Sequence, residues 1–118
     1  MATKKETKTA DLTIEMSVMD RIHLQQITPK QNGSMIDHMN ANNILKKIEF
    51  GSEEAARLEL RNEKEGEAVI TKWKQSEDKP TKVQFTNLET EYLREQIKEL
   101  DEKKSIPFVM FNLIQKIV

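Results

Sequence analysis

Cysteine is missing from this 118-residue chain. That removes disulfides, thiolate metal sites and cysteine nucleophiles from consideration, and it fits a reducing compartment. Glycine is nearly as scarce: only Gly33, Gly51 and Gly66 occur, each far from the others. The clustered glycines of dinucleotide- and phosphate-binding loops are therefore absent. Neither sign of charge dominates, with 19 Lys and Arg against 20 Asp and Glu and a net charge of −1. No global field draws such a chain to nucleic acid or to an anionic membrane. No apolar run approaches the roughly 20 residues that cross a bilayer. The opening residues carry lysines with no apolar stretch behind them, which is not the pattern of a secretory signal. A cytoplasmic protein without a membrane partner is expected.

What is present suits a small, charge-coated globular protein. Charged residues make up 33% and hydrophobic residues 36%, with a mean hydropathy of −0.70. Leu, Ile, Val and Phe still supply about a quarter of the chain, enough for a packed core. Residues 1–10 hold Lys4, Lys5 and Lys8 but little that is apolar, and read as a flexible arm. Residues 11–118 have the length of a single domain. No internal repeat is visible.

From Leu12 the pattern changes. Leu12, Ile14, Met16 and Val18 alternate with polar neighbours at the two-residue period of a half-buried strand over 11–18. Residues 19–27 fit either continued alternation or a helical face through Met19, Ile22, His23 and Ile27, and stay undecided. Pro29 and Asn32-Gly33 break the chain. Ser34 caps a helix over 34–47 whose apolar residues fall on two sides, Met35, Ile36 and Met39 against Ala41, Ile44, Leu45 and Ile48. Either this helix starts late or it touches two surfaces. Ser52 opens a short helix, with acids in its first turn. Strands at 58–62 and 67–74 flank a polar loop with Gly66, a β-hairpin, and a last strand covers 82–85. Thr86 and Glu89 form a capping box for a helix over 87–104, with Leu88, Tyr92, Leu93, Ile97 and Leu100 as its buried stripe. The expected fold is α+β: a small antiparallel sheet of about four strands covered by helices, closed by a C-terminal αα-hairpin.

The second arm of that hairpin, 106–117, is the most informative stretch. Ile106, Val109, Met110, Leu113, Ile114 and Ile117 form one helical stripe, while Phe108 and Phe111 lie roughly opposite, with Pro107 in the first turn. A helix apolar on two sides is either central in the core or covered by something else. In a chain this small, the surplus points to self-association or to another protein. The expected interface residues are Phe108, Met110, Phe111, Ile114 and Val118.

Chemistry-bearing patterns are thin. His23 and His38 are far apart in sequence, and even with Asp11, Asp20 or Asp37 they lack metal-ligand spacing; no metal and no cofactor is expected. The acidic runs Glu53/Glu54, Glu63/Glu65/Glu67 and Glu99/Asp101/Glu102 sit in polar stretches where nothing would raise a carboxyl pKa for acid–base work. The serines are explained as caps, loops and strand exposure, and no enzyme activity is expected. Lys72-Trp73-Lys74, an aromatic between two cations, is the one spot resembling a nucleic-acid contact. In a strand, neighbours of Trp73 point to the opposite face, so a core tryptophan flanked by solvated lysines needs no ligand and is the stronger reading. Met35, Met39 and Met110 read as core filler, and Tyr92 as a boundary residue with its hydroxyl in water. In general look (small, cysteine-free, charge-rich and without a catalytic signature) the chain is similar to accessory proteins encoded by phages and mobile elements, including inhibitors that cover a host surface. The expected function is a non-enzymatic protein-interaction module that self-associates through its C-terminal helix. The alternative is a nucleic-acid-associated regulator using Trp73.

Overall fold

The computed structural model describes residues 11–118, so the expected N-terminal arm lies outside the described residues. In chain order come β1 (Leu12–Met16), α1 (Val18–Ile27), α2 (Met35–Ile48), α3 (Ser52–Leu58), β2 (Arg61–Glu65), β3 (Ala68–Lys72), β4 (Thr81–Phe85), α4 (Asn87–Glu102) and α5 (Phe111–Ile117). Single 3-10 turns fall at Gln75–Glu77 and Phe108–Met110. The architecture is the α+β one expected from the sequence. Among the described residues four strands form two separate antiparallel ribbons, β1 with β4 and β2 with β3.

The β1–β4 ribbon has one dry face. Its register sets Leu12 opposite Phe85, Ile14 opposite Val83 and Met16 opposite Thr81, so alternate positions turn inward together. The helices close over that face. Ile14, Met16, Val83 and Phe85 meet Leu24 of α1, Ile44 and Ile48 of α2, Leu93 and Ile97 of α4, and Leu113 and Ile117 of α5.

Residues 19–27 are helical, and a local signal decides it. The Ser17 hydroxyl accepts from the Asp20 N–H at 3.1 Å, and Asp20 returns a bond to the Ser17 N–H at 3.2 Å. This capping box turns the chain one residue after β1. Ser34 with Asp37 and Thr86 with Glu89 open α2 and α4 in the same way. Asp37 and its cap are exposed, and the bond from the Ser34 N–H is the main reason its carboxyl pKa lies below the usual range. Gly51, rather than Ser52, occupies the cap position of α3.

Two other expectations shift. Leu58 ends α3 and is fully buried instead of starting a strand. The first hairpin strand instead uses the polar run Arg61-Asn-Glu-Lys-Glu65, and Gly66, at φ +65°, provides the turn. Both ribbon faces are largely solvated there. The hairpin strands pack chiefly on each other, and the molecule measures 56 × 32 × 26 Å.

Candidate functional site

The C-terminal surface begins at the end of α4. Lys104 adopts a left-handed conformation (φ 53°), and the Ser105 N–H bonds back to the Leu100 carbonyl at 2.8 Å. This tight exit reverses the chain. Pro107 then acts before the helix rather than inside its first turn. It holds an extended ψ of 140°, and a residue preceding proline is pushed out of the α region. One 3-10 turn, Phe108–Met110, intervenes before α5 starts at Phe111.

That delayed start rearranges the expected stripe. Met110, Leu113, Ile114 and Ile117 keep the i, i+3, i+4, i+7 spacing and are buried. Val109, expected with them, is exposed. Met110 and Ile114, expected at an interface, turn toward the core, Ile114 also reaching the floor of a groove. The outer set is Phe108, Val109, Phe111 and Val118. Phe108 is 87% exposed and Phe111 50% exposed, and their rings stack with centroids 6.3 Å apart and planes 18° apart. Phe111, Val118, Ile114, Ile106 and Ile97 line a groove of about 560 Å³ between α4 and α5, edged by Arg94, Lys98 and Asp101. Arg94 also fixes the end of α5, donating from Nε to the Ile117 carbonyl at 2.8 Å.

The lysines around Trp73 are engaged by carboxylates. Lys72 Nζ lies 2.7 Å from Glu65 and 3.3 Å from Glu63, and Lys74 Nζ lies 3.8 Å from Glu59. The bond to Glu65, then that to Glu63, raises the Lys72 pKa. Trp73 is half-buried and donates from its indole N–H to Asp78 at 3.2 Å, while the other oxygen of Asp78 accepts the Val18 N–H at 3.0 Å. Trp73 thus helps tie the loop after β3 to the start of α1. The carboxylate beside it is poorly placed for a phosphate.

Other candidates move as well. Tyr92 is buried rather than wet at its hydroxyl, which donates to the Thr28 carbonyl at 2.6 Å. Burial is the main cause of its raised pKa. His23 is buried on α1, against the expectation of a surface or boundary site, and His38 is exposed on α2. Among the described residues no group of three or more His, Asp or Glu side chains is placed to hold a metal.

Two surfaces escaped the sequence reading. Met35, Ile36 and Met39, with Met35 and Met39 taken as core filler, form an exposed stripe on α2 opposite its buried Ala41, Ile44 and Ile48. The doubled apolar pattern of this helix was the available signal, but neither of its two explanations holds. α2 begins at Met35 rather than late, and its Met35, Ile36 and Met39 side is exposed rather than packed on a second surface. The other is β3, whose Val69 and Ile70 are also exposed. Leu88, placed by its spacing in the buried stripe of α4, is exposed at the helix edge instead. Among the described residues no helix is long and apolar enough to cross a membrane. Compared with known protein families, with curated proteins and with solved structures, the chain matches none of them.

Proposed function

We propose that this protein is a non-enzymatic interaction module that self-associates through its C-terminal surface. The observation that carries this reading is the bare, stacked Phe108–Phe111 pair beside an apolar groove. Adjacent exposed aromatic rings carry a large share of binding energy once a partner covers them. The groove edge favours a second copy. Arg94 and Lys98 stand beside Asp101, so a two-fold arrangement would set cations of one copy against the carboxylate of the other. The same face would serve an inhibitor covering a host protein, the phage or mobile-element role suggested by the sequence's general look.

Sedimentation at tens of micromolar tests the proposal. The wild type is expected to run as an oligomer. Phe111→Asp is expected to weaken association by about a hundredfold, corresponding to about 2.7 kcal/mol, with an unchanged circular dichroism spectrum. Phe108→Asp, at a side chain even further from the core, should do the same. A monomeric wild type would remove the support.

Nucleic acid is the weaker alternative, since Lys72 and Lys74 already face glutamates and Trp73 faces Asp78. Adding single-stranded DNA at low salt is therefore expected to leave Trp73 fluorescence unchanged. A quench that fades with rising salt would instead favour a nucleic-acid surface.

A further inference from the structure

The β2–β3 hairpin offers an unpaired edge whose pattern matches itself. Glu65 faces Ala68 across the two-residue loop Gly66-Glu67. Gly66 has positive φ and Glu67 does not, the signature of a type II′ turn with glycine first. The residues flanking such a turn exchange ladder hydrogen bonds, and pairs then alternate along the ribbon. Glu65–Ala68, Glu63–Ile70 and Arg61–Lys72 are accordingly the bonded pairs. The backbone groups of Val69 and Thr71 on β3, and of Asn62 and Lys64 on β2, point away from the ribbon. Among the described residues no backbone hydrogen bond from outside the hairpin reaches any of the four.

We infer that β3 pairs antiparallel with β3 of a second copy, around a two-fold axis at Ile70. In this register Val69 of each copy exchanges both backbone bonds with Thr71 of the other, using the outward groups and leaving none of them idle. Ile70 meets Ile70 of the second copy as the close, non-bonded pair, joining two partly exposed aliphatic side chains. Lys72 faces Ala68 of the second copy, so no like charges are opposed.

The other edge is less suited. Pairing β2 with itself through its outward groups sets Glu63 against Glu63, or Lys64 against Lys64 when the register shifts. The register that avoids both, Asn62 against Asn62, puts Lys64 opposite Leu60, whose N–H is already bonded to the Ala55 carbonyl. Proteins protect exposed edges with charge or proline. β3 has neither across Ala68-Val-Ile-Thr71, and Val69 is 63% exposed. A lone two-stranded ribbon is also marginal in water, and a four-stranded intermolecular sheet relieves that.

The absence of cysteine makes the register directly testable. Ile70→Cys is made in the full chain together with Phe111→Asp, so that the result is independent of the C-terminal contact. Non-bonded antiparallel pairs have the Cα spacing a disulfide needs. Under mild oxidation Cys at position 70 is expected to form a covalent dimer at least about tenfold faster than Lys64→Cys in the same background, reflecting the high effective concentration of a docked pair. Adding Val69→Pro removes an outward N–H while sparing the ladder inside the hairpin. It should bring the position-70 rate down to that of Lys64→Cys. Equal rates at positions 70 and 64, or a position-70 rate untouched by Val69→Pro, would overturn the inference.

Discussion

Phe85→Ala is expected to cost about 3–5 kcal/mol, the usual loss for truncating a buried phenylalanine, in a protein whose total stability is on the order of 5–15 kcal/mol. Phe85 ends β4, is completely buried and stands opposite Leu12 in the ribbon. It belongs to the cluster where the ribbon meets α2, α4 and α5, so the cavity has walls on several elements that cannot all move in. Lys47 adds a second loss. Its Nζ lies 5.7 Å from the Phe85 ring centroid while donating to the Gln84 carbonyl at 2.8 Å and to Glu89 at 2.6 Å. Glu89 is the residue that closes the capping box of α4. The ring, the helix start and the strand end are thus one packed unit. In urea the midpoint should fall by about 2 M, given a denaturant slope of about 1–3 kcal/mol per molar. Phe108→Ala, compared at a concentration below that of association, is the control, with an expected change within about 0.5 kcal/mol because in the separate subunit the ring is in water. A Phe85→Ala loss below about 1 kcal/mol would mean that the ribbon face is not the centre of the core.

What could be read from the residues depended on how locally each feature is determined. The alternation from Leu12 to Met16 and the Thr86/Glu89 box are complete within a few positions, and both elements formed where expected. Residues 19–27 carried two periodicities at once, and the deciding Ser17–Asp20 box sat just upstream. Arg61 to Glu65 gave no strand signal because neither face of that strand is buried, so nothing selects apolar residues at alternate positions. Val109 was misplaced because periodicity assumes one unbroken helix, whereas Pro107 delays α5 and changes the angular offset. Met35 and Met39 were read as interior because apolar residues usually are. Only packing shows that the core has room for one face of α2. The C-terminal aromatics were legible as surplus, but the groove beside them depends on how α4 and α5 pack.

Arg21 left no trace in the sequence, yet Arg21→Ala is also expected to be damaging, at about 2–3 kcal/mol for losing the charge-assisted hydrogen bonds and packing of a buried arginine paired with the half-buried Glu54. The side chain of Arg21 on α1 is buried, with its guanidinium 4.1 Å from the centroid of the Phe50 ring. Nε donates to the Ile48 carbonyl at 3.2 Å, and Nη2 donates to that of Glu49 at 2.7 Å. These are the carbonyls where α2 ends. Nη1 and Nη2 together grip both oxygens of Glu54 on α3, at 2.6 and 3.0 Å. One planar fork therefore holds α1, the end of α2 and α3 together. Arg21→Lys keeps the charge but not the fork, and should recover only part of the loss. The pair also fixes a pH dependence. The hydrogen bond from Arg21 is the largest cause of the lowered Glu54 pKa, opposed by desolvation and aided by the charges of Arg21 and Arg57. A carboxyl whose folded pKa lies below its unfolded value of 4.5 adds stability above that pH, and the contribution fades as pH falls toward the folded value. Wild-type stability should therefore decline through the window below about pH 4.5, and Arg21→Ala should flatten that decline. Denaturant midpoints at several pH values would show it. If the two profiles fell in parallel, Arg21 would not be what holds Glu54 ionised, and the docking of α3 would have to rest on Leu58 and Phe50 instead.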